Sequence, residues 1–268
     1  MFSRILAFMR NWIAIVLLFC SSLIFAQPKL VKIDSQILVA DSFLGYDSFG
    51  WHYYIVNNIF NKEKDGKLLQ YKNIALGKIA AVDLQNPLKL VLFYENFNTA
   101  ILLDNQLNET QQVHFSKNTV PLVAAAIGMA SQNRLWIYNS LSQKIGLFDY
   151  LRKDYVEITV PFNGQITSYE SDFNNFYWIN DSGYRFTCDV YGKVTEYGKV
   201  PNFDQFAIAD ENWFFYSTLN QLFAFNTKSQ KQYLLPIGEK TFKSFNYEAQ
   251  ILSIFTTEGI TNYKITLP

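Results

Sequence analysis

The chain has 268 residues, of which 23 are Lys or Arg and 23 are Asp or Glu, so its formal net charge is zero. Such a balance provides no basic surface for nucleic acid. The two histidines, His52 and His114, stand far apart, and no Cys-x-x-Cys, His-x-x-His or His-Glu-x-x-His pattern occurs. This composition excludes an ordinary zinc or transition-metal site, and we expect no cofactor.

The N-terminal segment has the pattern of an export signal. Arg4 and Arg10 precede an apolar run at 13–20, and Ala26 is a small residue directly before Gln27. A positive start, a short apolar stretch and a small residue at the cleavage point define a secretory signal peptide. We therefore predict a cleavable signal over the first 26 residues, with cleavage between Ala26 and Gln27.

Two alternatives to cleavage involve the membrane. A membrane anchor needs about 20 apolar residues, and polar residues interrupt this run too early. Lipidation at Cys20 would tether the mature chain, but Phe19 stands where a lipobox has a small residue. Cleavage removes two Arg and no acid, which leaves a mature net charge of −2. A near-neutral domain also lacks the basic stretch that binds anionic membranes.

Cleavage leaves Cys188 as the only cysteine, so no disulfide can form within the mature chain. An exported domain without a disulfide depends on its core for stability. We predict that Cys188 is a buried, small apolar residue. An intermolecular bridge or a reactive thiol is the alternative.

The mature chain, 27–268, contains short runs of Tyr, Phe, Ile and Val separated by Asn, Asp, Gly and Ser, which is typical of an all-β protein. No linker-like tract divides it, so we predict a single domain. The segment 120–130 is the best helical candidate, although it also suits a buried strand. Repeats must be sought first in such a chain, because they decide the fold.

One hairpin unit recurs along the chain, most clearly at 135–149 and 213–226. Each unit is an apolar strand, a polar turn and a second strand that ends in Asn or Asp. In the first unit, 53–58 is paired more loosely with 68–71. Equivalent positions are separated by 36 to 44 residues, about the length of a propeller blade. These positions are Ile55, Phe93, Ile137, Ile179, Phe215 and Ile254.

Two further strands fit between successive hairpins. Ala-rich segments such as 77–83 and 206–210 suit the crowded axis of a ring, and 155–160 and 231–235 suit its outer rim. The segment 30–40 supplies a strand that closes the ring, and closure protects sheet edges. We therefore predict a six-bladed β-propeller with four strands a blade. A β-sandwich, two stacked barrels, seven blades or an incomplete ring are the alternatives.

Catalytic signatures are missing: there is no Gly-x-Ser-x-Gly elbow, phosphate loop or Asp-x-Asp-x-Asp-Gly calcium loop. Several carboxylates fall near the ends of the predicted inner strands, where propellers hold ligands. Two of them at a fixed separation would suit glycosidase chemistry, whereas the alternative is that they cap turns. They are Asp41, Asp47, Asp83, Glu170, Asp172, Asp210 and Glu248.

Phe, Trp and Tyr make up 17% of the chain, and most of them fall on predicted strands, where they would pack between sheets. Aromatic residues in the predicted connections are candidates for an exposed interaction face. They are Phe43, Tyr46, Phe49, Trp51, Phe97, Tyr169 and Phe173.

The segment 80–108, Ala-Ala-Val-Asp-Leu-Gln-Asn-Pro at its start, resembles envelope β-propeller proteins of Bacteroidetes. The signal that ends in Phe25-Ala26-Gln27 and the composition rich in Asn, Lys and Tyr are similar to that group too. Within the group, the resemblance implies a plug-like soluble subunit of the type-nine secretion translocon. It assigns no functional residue.

These observations favour a non-catalytic propeller that works in the periplasm as a protein-binding subunit of an envelope assembly. An extracellular or lipid-tethered location is the alternative. The alternative function is a carbohydrate-active or lactone-type hydrolase with its site on the propeller axis, where Ca²⁺ could assist. The hydrolase requires carboxylates that converge around a central cavity, whereas the binding subunit does not.

Overall fold

Strands form wherever the sequence has its short β-branched and aromatic runs, and Asn, Asp and Gly occupy the turns between them. The computed structural model of the protein describes residues 27–162 and 164–268. The predicted signal peptide and Ala26 lie outside the described residues, and Gln27 is the first residue within them. The described part contains 24 strands in six four-stranded antiparallel sheets. The prediction of a six-bladed propeller is thereby confirmed.

Each sheet is one blade, and its strands are ordered outwards from the axis. Blades 1 to 3 comprise β2 Ser42–Tyr46, β3 His52–Val56, β4 Ile59–Lys64 and β5 Lys67–Tyr71; β6 Ala81–Asp83, β7 Leu90–Tyr94, β8 Thr99–Leu103 and β9 Glu109–His114; and β10 Ala124–Ala130, β11 Arg134–Asn139, β12 Lys144–Asp149 and β13 Asp154–Glu157. Blades 4 to 6 comprise β14 Ile166–Ser171, β15 Asn175–Asn180, β16 Tyr184–Asp189 and β17 Val194–Lys199; β18 Gln205–Ile208, β19 Trp213–Thr218, β20 Gln221–Asn226 and β21 Lys231–Leu234; and β22 Ser244–Glu248, β23 Ile251–Phe255, β24 Gly259–Thr266 and β1 Lys29–Ile37.

The ring closes because β1, from the start of the described chain, is the outermost strand of the last blade. It pairs antiparallel with β24, from Lys29 opposite Thr266 to Ile37 opposite Gly259. A bulge between Lys32 and Asp34 interrupts the register. The prediction that 30–40 supplies the closing strand is confirmed.

Apolar side chains fill the gaps between blades. Six buried clusters occur among the described residues, one at each blade-to-blade interface. Aromatic rings dominate several of them: Trp136 of blade 3, for example, is fully buried against Phe176 of blade 4, with ring centroids 6.1 Å apart. Cys188 is buried in the cluster between blades 3 and 4. The predicted roles of Cys188 and of the strand aromatics in packing are both confirmed.

Antiparallel order gives the ring two distinct ends. The turns between the second and third strands of each blade lie at the same end as the connections between blades. We call this end the upper face. The turns between first and second strands and between third and fourth strands lie at the opposite end, the lower face. Every loop can therefore be assigned to a face from its position in the repeat.

Asparagines in three upper turns fix the connections to the next blade. Asn98 has a φ of 46° and donates to the Leu122 carbonyl at 2.7 Å while accepting from the Ala124 amide at 3.0 Å. Asn58, at a φ of 60°, makes the same pair of bonds with Gly77 and Ile79. Asn220 does so in blade 5. Asparagine suits this position because it tolerates a left-handed backbone and carries both a donor and an acceptor.

One expectation about a single element is corrected, and one choice that the sequence left open is decided. The partner of β3 is β4, which follows a tight turn, and 68–71 falls within the outer strand β5. Within 120–130 the chain forms a buried strand, β10, and no helix, because the row of apolar side chains is covered on both sides by neighbouring blades. Among the described residues, no helix is long and apolar enough to cross a membrane.

Candidate functional site

The main internal feature is a cavity on the axis, at the lower end of the ring. It has a volume of about 630 Å³ and is lined by residues from the first strands of all six blades. The axis is not filled because side chains such as Ala81 and Ala207 are small, and Tyr169, Phe206 and Tyr247 form aromatic walls around the space. We call it the axial cavity.

Five of the seven carboxylates that the sequence singled out line the axial cavity. They are Asp83, Glu170, Asp172, Asp210 and Glu248. Asp41 instead accepts from the Asn57 amide on the upper face, and Asp47 is buried in the turn that precedes β3. The sequence therefore located most of these acids correctly.

Two of the axial carboxylates join neighbouring blades. Asp83 of blade 2 accepts from the Met129 amide of blade 3 at 2.6 Å, and also caps its own turn at Gln85. Glu170 of blade 4 accepts from the Ile208 amide of blade 5 at 3.0 Å. Each of these bonds joins the first strands of two neighbouring blades. Asp83 and Glu170 therefore stabilise the ring of first strands as well as lining the axial cavity.

The axial cavity shifts the pKa of its acids upwards. Removal from bulk water raises the pKa of Glu170 to about 7, against the lowering effects of the Ile208 amide and the Arg185 charge. Desolvation also raises the pKa of Asp83 and Glu248. A carboxyl group whose pKa is near 7 can exchange a proton at physiological pH.

Arg185 lies between blades 4 and 5, behind Glu170. Its side chain is 1% exposed and donates to the carbonyls of Asp210 and Glu211, each at 3.3 Å. Its guanidinium carbon is 4.9 Å from the centre of the Tyr197 ring. A small cavity that Arg185 and Glu170 both line separates the two side chains. Arg185 thus supports the lower rim of the axial cavity and offsets part of the Glu170 charge.

Two of the other three axial acids, Asp172 and Asp210, cap turns. Asp172 accepts from the amides of Asn174 and Asn175 and from the Tyr177 hydroxyl, at 2.7, 2.8 and 2.7 Å. Asp210 accepts from the amides of Asn212 and Trp213. These bonds match the structural alternative stated for such carboxylates.

Histidine is not among the described residues that line the axial cavity. His52 stacks on Tyr54 in blade 1, with its Nε2 3.8 Å from a Glu63 oxygen, and His114 contacts Thr99 at the end of β9. The described residues also contain no group of three or more His, Cys, Asp or Glu arranged to hold a metal ion. The ionisable groups that line the axial cavity are therefore carboxyl and tyrosyl groups.

The seven aromatic candidates for an interaction face occupy different environments. Phe49 and Phe97 are exposed, but Phe49 belongs to the lower face and Phe97 to the upper face. Phe43 is buried between blades 1 and 6, and Tyr46 accepts hydrogen bonds there. The remaining three are partly buried: Trp51 near Lys62, Tyr169 on Phe176 at the axis, and Phe173 against the core between blades 2 and 3. The structure does not bring the seven together on one face, and their role in binding stays a prediction.

A second apolar surface, made of loop residues, was not predicted from the sequence. The described part of the chain has 20 exposed large apolar residues, of which eight lie in upper turns and connections and four in lower turns. The upper eight are Val39, Ile74, Phe97, Val120, Val123, Leu141, Val160 and Leu219, and the lower four are Phe49, Leu88, Leu151 and Tyr191. Apart from Phe97 the upper eight are aliphatic, and an aliphatic residue in a loop gives no signal until the loop is assigned to a face.

Comparison with known proteins supports the fold. No protein-family model matches the chain, and no curated protein matches it in sequence. Among solved structures, virginiamycin B lyase from Staphylococcus aureus is similar, with a TM-score of 0.57 and 14% identity over 90% of this chain and all of that one. A form of that enzyme with one histidine replaced by alanine, solved with quinupristin, is catalytically inactive.

Two further similar structures contain a bound partner. YCF48 bound to D1 peptide matches with a TM-score of 0.51 and 12% identity, over 91% of this chain and 98% of that one. The nidogen/laminin complex matches with a TM-score of 0.53 and 10% identity, over 71% and 76%. At these identities the similarity establishes the class of the protein, a β-propeller. This class includes both an enzyme and protein-binding members.

Proposed function

We propose that this chain is a non-catalytic propeller that binds a partner protein of the cell envelope through the upper face. The observation that carries the proposal is that eight exposed large apolar residues lie on this face, against four on the lower face. Apolar side chains on a folded surface lose contact with water when a partner covers them, which stabilises the complex. The complexes formed by YCF48 and by nidogen and laminin support a binding role for the fold.

Five carboxylates converge on the axial cavity, as the hydrolase alternative requires, but the hydrogen bonds that four of them make support a role without catalysis. Asp83 and Glu170 each accept a hydrogen bond from a backbone amide of the next blade, and Asp172 and Asp210 cap turns. Both histidines lie outside the described lining of the cavity, whereas replacing one histidine inactivates the lyase of similar fold.

The predicted export signal locates this partner in the periplasm. The resemblance of 80–108 to Bacteroidetes envelope propellers makes a secretion translocon the first assembly to examine. This part of the proposal rests on the sequence alone.

The test is purification of the mature protein from its native envelope at native levels, with quantification of co-isolated proteins by mass spectrometry. We expect one partner in stoichiometric amount. Leu141→Asp with Val160→Asp, both on the upper face, should reduce recovery of the partner at least tenfold. The matched lower-face pair, Leu151→Asp with Tyr191→Asp, should leave recovery unchanged.

All four side chains are exposed, so thermal unfolding should confirm that every variant folds. A partner-free monomer, or equal loss of the partner in both pairs, would contradict the proposal.

The pKa of Glu170 favours a second candidate, a hydrolase with its site in the axial cavity. A carboxyl group with a pKa of about 7 is protonated often enough at neutral pH to act as a general acid. Turnover of a panel of glycans and lactones that disappears in Glu170→Gln and in Asp83→Asn would establish this activity. No turnover by the unmodified protein would remove the candidate.

A further inference from the structure

The outer strand of blade 6 differs from the other five outer strands. β1 has nine residues, whereas β5, β9, β13, β17 and β21 have four to six. Each of those five exposes at most one large apolar side chain. β1 exposes three, Val31 and Ile33 at 50% and Ile37 at 90%. Long apolar edges are those that most readily pair with another strand, and natural sheets ordinarily avoid them.

The free edge of β1 presents backbone groups that only another strand complements along their whole length. β24 occupies one side of β1, and no strand lies on the other side in the described sheet. In an antiparallel strand, alternate residues direct their amide and carbonyl outwards. The bulge between Lys32 and Asp34 divides this edge, and its upper part, Asp34–Ile37, is regular.

A groove of about 480 Å³ runs beside this upper part of β1. It is lined by Lys32, Ser35 and Ile37 of β1 and by the segments 239–241 and 256–258. An extended segment added to β1 would direct every second side chain towards this groove.

The charges of the groove favour an acidic side chain. Lys32 and Lys240 line it, and neither forms an ion pair within the described part of the chain. Of its two glutamates, Glu239 accepts a hydrogen bond from the Tyr263 hydroxyl at 2.8 Å, and Glu258 lies in the turn between β23 and β24. Glu258 is exposed and its carboxylate has no partner in the described part of the chain, so the groove offers two free ammonium groups against one free carboxylate.

We propose that β1 binds an extended segment of a partner protein as a fifth strand of blade 6, with an acidic side chain of that segment in the groove. The inference rests on the proposed function, since it names the element through which the envelope partner is held. Main-chain hydrogen bonds to β1 supply affinity, and the groove beside Lys32 and Lys240 supplies selectivity.

A photo-crosslinking amino acid at Ile37 tests the position of the partner in the native envelope. The matched control is the same amino acid at Val156, which is 54% exposed on the outer strand of blade 3. We expect a crosslink from position 37 to one segment of the partner and none from position 156. The crosslinked segment is then made as a synthetic peptide, and its affinity for the mature protein is measured by calorimetry.

Strand addition makes a specific prediction for that peptide. N-methylation of every second amide should weaken binding at least tenfold, and methylation of the intervening amides should have little effect. Replacement of its acidic residue by the amide, or Lys32→Ala with Lys240→Ala in the protein, should each weaken binding about fivefold to tenfold.

Equal sensitivity to both methylation patterns, or no crosslink from position 37 in an intact complex, would overturn this inference and leave the proposed function standing. Absence of any complex would overturn both.

Discussion

At the scale of single residues, asparagines in three upper turns connect one blade to the next. Asn98 is 9% exposed and bonds to the connection that leads into blade 3 through both ends of its amide. A buried connection with unpaired backbone groups is costly, so these two bonds stabilise the entry of the chain into β10.

We expect Asn98→Ala to lower the free energy of unfolding by about 2–3 kcal/mol, because it leaves two buried backbone groups unpaired and places alanine at a positive φ. Asn98→Gly relieves only the backbone strain and should recover less than half of the loss. Asn96→Ala, at an exposed position in the same turn, is the control. Urea denaturation measures all three, and an Asn98→Ala variant as stable as the control would contradict this account.

At the scale of elements, closure of the last blade depends on close contact between β1 and the start of β24. Gly259 has a φ of 156°, and a Cβ there would overlap the Gln36 carbonyl and the backbone of Ile37. Glycine is thus required by the approach of two backbones.

Gly259→Ala should therefore push β1 away from β24 and lower the free energy of unfolding by at least about 2 kcal/mol. Gly66→Ala is the matched control, because Gly66 also has a positive φ, 77°, but a Cβ there would meet nothing within 4 Å. The control should cost about 1 kcal/mol from backbone strain alone. Hydrogen exchange of β1 amides should accelerate only in Gly259→Ala; equal exchange in both variants would show that the contact does not hold the strand.

The elements also show what sequence pattern reveals about this fold. The hairpin of β11 and β12 was predictable, because both strands are continuously apolar and a polar turn separates them. β4 was missed because Asn61 and Lys62, at 2% and 3% exposed, are buried polar residues that make the strand look like a loop. Asn61 donates to the nearby Ile59 carbonyl, whereas Lys62 donates to that of Asn105, 43 positions away, a contact that no local pattern encodes.

The candidate site was predictable only in part, for a related reason. Acids near the ends of first strands converge on the axis in any propeller, so Asp83 and Glu170 could be located from the repeat. The exposure of an aromatic residue depends on the blade beside it, as Phe43 against Phe255 of blade 6 illustrates. The upper apolar surface and the groove beside β1 both require the assembled ring.

At the scale of the whole molecule, stability should depend on pH through the acids of the axis. Asp83, Glu170 and Glu248 come from three different blades, and desolvation raises the pKa of each. A raised pKa means that the folded protein binds these protons more tightly than the unfolded chain does. For Glu170 the contribution to stability is therefore complete below its unfolded pKa of about 4.5 and is lost as the pH rises through about 7, and Asp83 and Glu248 act in the same direction.

Glu170→Gln should remove part of this pH dependence. The amide can still accept from the Ile208 amide but carries no charge, so the variant should become more stable than the unmodified protein by about 2 kcal/mol at pH 8 and be equal to it at pH 4. Thermal unfolding between pH 4 and 8 measures the difference, with the exposed Glu196→Gln as control. A constant difference across this range would exclude Glu170 as its origin.

The closure of the ring by β1 also fixes the order in which the protein can complete itself. Ribosomes make β1 first, and its partner β24 is the last strand of the described chain to be made. A hydrogen bond such as that between Asp34 and Asn262 joins positions 228 residues apart. Throughout synthesis, the longest and most apolar edge of the molecule consequently has no strand beside it. A nascent chain of this design needs either a chaperone on that segment or rapid completion of the ring. Mutations that slow the folding of blade 6 should therefore prolong the exposure of β1 at the opposite end of the chain.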